Sequence, residues 1–171
     1  MTPDALRALQ APHKTRYRDD PAAARQTLTA EGTLDVERVA CRVTTAPSPA
    51  IAGLHPSAGG DGSFACAGDM LLQALVGCAG VTLCAVATAL QIPVRGGTVR
   101  AEGVMDFRGT LGVSKDVPVG FQEIRLTFDL DTEATPEQLD NLLKLTRRYC
   151  VVYQTLVKAP TITETVRPRR S

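Results

Sequence analysis

The stretch from Met70 to Val94, MLLQALVGCAGVTLCAVATALQIPV, contains no charged residue. Its residues favour a helix that ends near Gln91, because the residue before Pro93 is pushed out of the helical region. A helix that is apolar on every side has no face to offer water, so it must be buried in protein or in lipid. Its length admits a membrane span. Against a span stand Gln73, Thr82, Thr88 and Gln91, the lack of a flanking Trp or Tyr belt, and the lack of a Lys or Arg cluster on one side. The reading is therefore the central helix of a soluble core, with no membrane as partner. Cys78 sits near its middle, either as inert filling or as the centre of the chemistry.

The rest of the chain must supply that core. A chain of 171 residues suits one domain, and at this size roughly 70% of the unfolded surface is buried without disulfide staples. Aromatic residues are 4% with no Trp, so Leu, Val and Ala must fill the interior. A net charge of +1 provides no field for nucleic acid or anionic lipid. Arg167, Arg169 and Arg170 in the tail RPRRS read as a solvated end. Cysteines 41, 66, 78, 84 and 150 are odd in number and form no CxxC pair, and only His13 and His55 are present. No zinc pattern, other metal or cofactor follows, nor does a secreted disulfide framework. Reduced thiols in the cytoplasm are the expectation, and the N-terminus MTPDALRALQ is too polar for a secretory signal.

Taken in order, Thr2-Pro3 opens a short helix that HKTRYRDDP interrupts. Residues 1–20 read as an N-terminal helical extension and 21–171 as one domain. Alternation predicts a strand over Arg25–Leu34 and a second around Val39, Cys41 and Val43, paired as a hairpin. Residues 46 to 68, with three prolines and Gly59-Gly60-Asp61-Gly62, read as loop. They lack the lysine and preceding strand of a phosphate-binding loop, and His55 within them reads as structural. Asp69 is the expected N-cap of the charge-free helix.

Beyond it, Val99, Ala101, Met105 and Phe107 form the inward set of a strand. Ile124, Leu126, Phe128 and Leu130 form that of another. Thr135-Pro136-Glu137-Gln138 is a capping box that starts a helix with the stripe Leu139, Leu142, Leu143, Thr146. Arg147-Arg148-Tyr149-Cys150 closes that helix or bends it into VVYQTLVK, and TITETV alternates as a final strand. Strands and helices segregate, which predicts an α+β fold with antiparallel sheets around buried helices.

Helical geometry puts Leu71, Leu75, Cys78 and Thr82 on one face, and Cys84 about 240° away from Cys78. Cys78 and Cys84 therefore do not pair. Cys78 meets Cys150 only if their helices pack, and the residues alone leave Cys78 open between a structural thiol and a reactive one. A reactive thiol needs a lowered pKa, and no charged neighbour lies within its own helix.

The runs HPSAGGDGSFACAGDMLLQALVGCAGVTLCAVATAL and RRYCVVYQTL resemble the two signature helices of the OsmC/Ohr family, named for osmotic induction and organic hydroperoxide resistance. The resemblance spans about residues 22 to 167. It implies an intertwined homodimer in which Cys78 reduces an organic hydroperoxide and Cys150 resolves it. It also implies a dithiol or lipoylated protein as reductant. Asp69 stands nearest the place where the family's peroxidases carry a helix-start Glu, and Arg25 is the choice for its Arg partner. Val151 stands where the family frequently has Pro. Cys66 is a further thiol that the resemblance leaves as an alternative resolver. A non-catalytic dimeric protein binding a small apolar or acyl ligand beside Cys78 is the alternative on the same fold.

Overall fold

A computed structural model of the chain describes residues 2–20, 31–35, 40–44 and 50–168. Helix α1 (Pro3–Asp19) starts as its sequence dictates, with Pro3 in the first turn and the Thr2 hydroxyl accepting the Ala5 N–H at 3.2 Å. It does not stop at HKTRYRDDP. Pro12 lies inside the helix, where it deletes its own N–H bond, and the Lys and Arg residues beyond it are good helix formers.

A four-stranded sheet follows in the order β1-β2-β3-β4. Strands β1 (Glu31–Asp35) and β2 (Ala40–Thr44) form the expected antiparallel hairpin, with Glu31 opposite Thr44 and Asp35 opposite Ala40. Residues 31–34 of the predicted 25–34 strand fall within β1, and residues 25–30, Arg25 among them, lie outside the described residues. The segment read as loop holds two more strands. Strand β3 (Ala50–Gly53) runs antiparallel to β2, and β4 (Ala65–Cys66) runs parallel to β3, a departure from the all-antiparallel expectation. Strands of four and two small residues are too short for alternation to register.

Helix α2 (Ala67–Leu90) is the charge-free stretch with one extra turn at its start. Its N-cap is Cys66, and Asp69 is an exposed residue of the first turn, so the predicted Asp69 cap is corrected. The strand at Ala65–Cys66 feeds the helix directly and fixes its start earlier than the carboxylate suggested. Its end is as read, with Gln91 in the left-handed conformation at φ 56°.

Strands β5 (Val94–Met105) and β6 (Phe121–Thr132) form a separate antiparallel ribbon, joined through the short helix α3 (Phe107–Thr110). Val99, Ala101 and Met105 are half-buried as predicted, as are Ile124, Leu126, Phe128 and Leu130. Gly97, at φ 151°, allows the two backbones to approach, since a Cβ there would stand 2.2 Å from the Asp129 carbonyl oxygen. Helix α4 (Pro136–Tyr149) carries the predicted capping box: Thr135 Oγ1 accepts the Gln138 N–H, and Gln138 Oε1 accepts the Thr135 N–H at 2.8 Å. It lays Leu142 into a core with Leu83, Val86, Ala87 and Ile92. Helix α5 (Val151–Val157) continues after a bend at Cys150.

Two expectations fail within the single chain. Helix α2 buries Leu75, Ala79, Leu83, Val86 and Ala87, while Leu71, Cys84 and Val81, the last 74% exposed, remain uncovered. By length and composition α2 is apolar enough to cross a membrane. The TITETV segment forms no strand: Ile162 and Val166 are 82% and 89% exposed. Alternation tells how a segment would lie in a sheet, not whether a neighbouring edge is within reach. Here β5 and β6 pair with each other.

Candidate active site

The site is built at the bend between α4 and α5. Cys150, only 1% exposed, leaves the helical region at φ −72°, ψ 109° and serves as C-cap of α4 and N-cap of α5. Its N–H still bonds the Thr146 carbonyl at 2.9 Å, and its carbonyl accepts the Gln154 N–H at 2.9 Å. A new helix begins with N–H groups that have no partner inside it. In α5 these turn to sulfur. The Tyr153 N–H donates to Cys150 Sγ at 3.5 Å, and the N–H groups of Val151 and Val152 favour the thiolate form of Cys78.

Packing of α2 against α4 and α5 brings this about. Cys78 is half-buried at mid-helix, within hydrogen-bonding reach of the Cys150 thiol, and both thiols are free. The Thr82 hydroxyl, one turn later, donates to the Cys78 carbonyl at 2.7 Å. These contacts divide the two cysteines. Burial pushes Cys78 up, but the Val152 N–H, the Cys150 thiol, the Val151 N–H and Thr82 outweigh it and hold Cys78 below the ordinary thiol value. Cys150 is held above it, by burial first and then by the hydrogen bond and charge of Cys78, against the N–H groups of Tyr153 and Val152. The surroundings thus favour a thiolate on Cys78 over one on Cys150.

The structure thus brings together Cys78 and Cys150 and leaves Asp69, Cys66 and His55 elsewhere, while Arg25 lies outside the described residues. Asp69 lies nine residues before Cys78, roughly 13 Å along the helix at about 1.5 Å per residue. It lines a cavity of about 340 Å³ with His55, Cys66, Phe107 and Phe121. Cys66 is farther still, some three turns from Cys78, and is no resolver within the chain. His55 is structural as read: its ring stacks on Phe107 at 4.9 Å, and Nδ1 accepts the Ser57 N–H at 3.0 Å. What the sequence reading missed is that neutral groups act on Cys78. The available signals were Thr82 four residues after it and Val151, which has an N–H that proline would lack.

Val151→Pro tests one of those donors. Cys150 already has the extended conformation favoured before proline, and Val151 is the first residue of α5, where proline is well tolerated. The variant is expected to fold and to raise the Cys78 pKa. Alkylation of Cys78 at neutral pH should slow about three- to tenfold, on the scale of one ordinary hydrogen bond. Val151→Ala, which keeps the N–H, should match the parent.

A sequence profile described as OsmC-like protein matches residues 60–165. No curated protein sequence matches the chain. Among solved structures, an OsmC-like protein from Mycoplasma pneumoniae superposes with a TM-score of 0.66 at 14% identity, covering 78% of this chain and 89% of that one. An organic hydroperoxide resistance protein from Elizabethkingia anophelis superposes at 0.62 with 16% identity, covering 80% and 91% of the two chains. Another from Bacillus subtilis gives 0.53 at 17% identity, covering 77% and 92%. These likenesses establish the fold, and with the profile spanning more than half of the sequence, the chain belongs to the OsmC-like family.

Proposed function

We propose that the protein is a cysteine-dependent organic hydroperoxide reductase, with Cys78 as the peroxidatic and Cys150 as the resolving residue. The observation that carries this reading is a pair of reduced thiols within hydrogen-bonding reach, one held below and the other above the ordinary thiol value. The Cys78 thiolate attacks the distal peroxide oxygen, the O–O bond breaks, and the alkoxide leaves with a proton as the alcohol. Cys78 becomes a sulfenic acid. The Cys150 sulfur then attacks it, water departs, and a disulfide forms. One hydroperoxide and two thiols give one alcohol, one water and one disulfide. An external dithiol, free or on a lipoylated protein, reopens the disulfide by exchange.

The working form in this reading is a cytoplasmic homodimer of a 21–171 domain with residues 1–20 as an extension. Support comes from the uncovered Leu71 and Val81 of α2 and from the alternating, exposed tail, both of which a second copy would cover.

Titration with an organic hydroperoxide, followed by mass mapping of disulfides, is the test. One equivalent should be consumed per chain with formation of a Cys78–Cys150 disulfide. Thiols that stay free under excess hydroperoxide would overturn the reading. The ligand-binding alternative is favoured by a cavity of about 800 Å³ between α2 and β5, lined by Leu83, Cys84, Ala87, Ile92, Val94 and Leu130 among others. A small molecule retained in the native mass, with thiols unreactive to peroxide, would favour it.

A further inference from the structure

We infer that Gln154 is the positioning residue of the resolving thiol: it ties α5 to the end of α4 across the bend at Cys150 and so holds the Cys150 sulfur toward Cys78. The inference deepens the hydroperoxide reductase reading and rests on it. In an unbroken helix the Arg147 carbonyl would accept the Val151 N–H. The extended ψ of 109° at Cys150 ends α4 there, and Val151 opens a new helix. The Arg147 carbonyl is thus one of the C-terminal acceptors that a helix leaves without an internal partner. The Gln154 side chain supplies one, its Nε2 donating to that carbonyl at 2.7 Å. At the same time the Gln154 main-chain N–H donates to the Cys150 carbonyl at 2.9 Å. One residue therefore holds the chain both at the bend and ahead of it.

The size of α5 gives this bond its weight. A helix of seven residues is too short to be stable alone, so its place depends on what it is tied to. None of its residues is buried, whereas α4 lays Leu142 and Thr146 into the core. Val152, Tyr153 and Leu156 are half-buried and give it a shallow footing. Among the described residues, the bond from Gln154 is the side-chain hydrogen bond that joins α5 to α4. The first turn of α5 in turn reaches the resolving sulfur, because the Tyr153 N–H donates to Cys150 Sγ at 3.5 Å. Fixing the angle of the bend therefore fixes the cradle of that sulfur, on the side where α4 and α5 pack against α2. Gln154 acts through the backbone and takes no part in the bond-making itself.

The test is thiol–disulfide exchange with glutathione, in a chain whose cysteines 41, 66 and 84 are serine. Cys78 displaces one glutathione from glutathione disulfide and Cys150 displaces the second, so one protein disulfide forms as two glutathiones are released. The equilibrium constant reports how well the fold holds the two sulfurs together. Gln154→Met keeps the side-chain length and the helix propensity and removes the donor. It should lower that constant about three- to tenfold, on the scale of one hydrogen bond. Gln154→Lys, whose ammonium can donate to the same carbonyl, should return it to within about twofold of the parent. A Gln154→Met constant equal to the parent's overturns the inference, as does a Gln154→Lys constant that follows Gln154→Met. A melting temperature lowered by Gln154→Met with the exchange constant unchanged overturns it too, because the clamp then stabilises α5 without holding the sulfur. Should Gln154→Met fail to fold, Gln154→Glu against Gln154→Lys makes the same comparison, since a carboxylate offers the carbonyl no proton. Exchange needs no peroxide, so a protein that fails to consume hydroperoxide defeats the reductase reading while the exchange constant still judges Gln154.

Discussion

Cys78→Ser is expected to reduce organic hydroperoxide turnover with a dithiol to the uncatalysed level, a loss on the order of 10³-fold or more. Cys150→Ser is expected to fail differently. Its first equivalent of hydroperoxide is still consumed, but the sulfenic acid at Cys78 persists, is captured by a sulfenic-acid reagent and goes on to the sulfinic acid under excess peroxide. The contrast follows from the asymmetry of the pair. Cys78 is the thiol that ionises below the ordinary value, and Cys150 is the one kept protonated beside it. At neutral pH the nucleophile is the thiolate, so in the proposed mechanism the attacking and waiting roles are set before substrate arrives. Single-turnover consumption in Cys150→Ser and its absence in Cys78→Ser distinguish this assignment from the reverse one.

The pH dependence follows with its sign. The first step should accelerate as pH rises and level off below the pH at which a free thiol would. Stability should respond less. The depressed Cys78 value stabilises the fold above the unfolded thiol pKa, and that contribution is lost as pH falls through its folded value. The raised Cys150 value stabilises below the unfolded pKa and loses its effect as pH rises through its own folded value. The two oppose each other, so an alkaline scan should move reactivity more than melting temperature.

How much of this was legible in the sequence depended on the range of the interaction. Thr135 and Gln138 declared the start of α4 because a capping box is satisfied by residues three apart. The helical period put Cys78 and Thr82 on one face. The long alternations of β5 and β6 survived into the ribbon because each has many residues for a period of two to act on. Asp69 misled because a carboxylate in the first turn satisfies the same helix dipole as one at the cap. The tail misled because its pattern meets no partner edge among the described residues. The contacts on the Cys78 sulfur were illegible for another reason: they come from main-chain N–H groups set free by the bend at Cys150, which no residue type advertises.

Leu142→Ala is expected to cost about 2–5 kcal/mol in the reduced protein, a melting-temperature loss of roughly 10 °C for a domain of this size. Leu142 has no exposed surface and packs with Leu83, Val86, Ala87 and Ile92, so its truncation leaves a cavity between α4 and α2. The same contact holds the helix that ends at Cys150 against the helix that bears Cys78, and loosening it should slow formation of the Cys78–Cys150 disulfide as well. Oxidation supplies the discriminating comparison. A disulfide between residues 78 and 150 closes a loop long enough to be worth about 4 kcal/mol through the unfolded chain. It also fixes α2 to the start of α5 without using Leu142. The oxidised variant should therefore recover much of the lost melting temperature, and the reduced one none. A disulfide that forms in Leu142→Ala as fast as in the parent would mean that Leu142 stabilises the fold without holding the two thiols together. A loss below about 1 kcal/mol would mean that the α2–α4 core is not what positions Cys150.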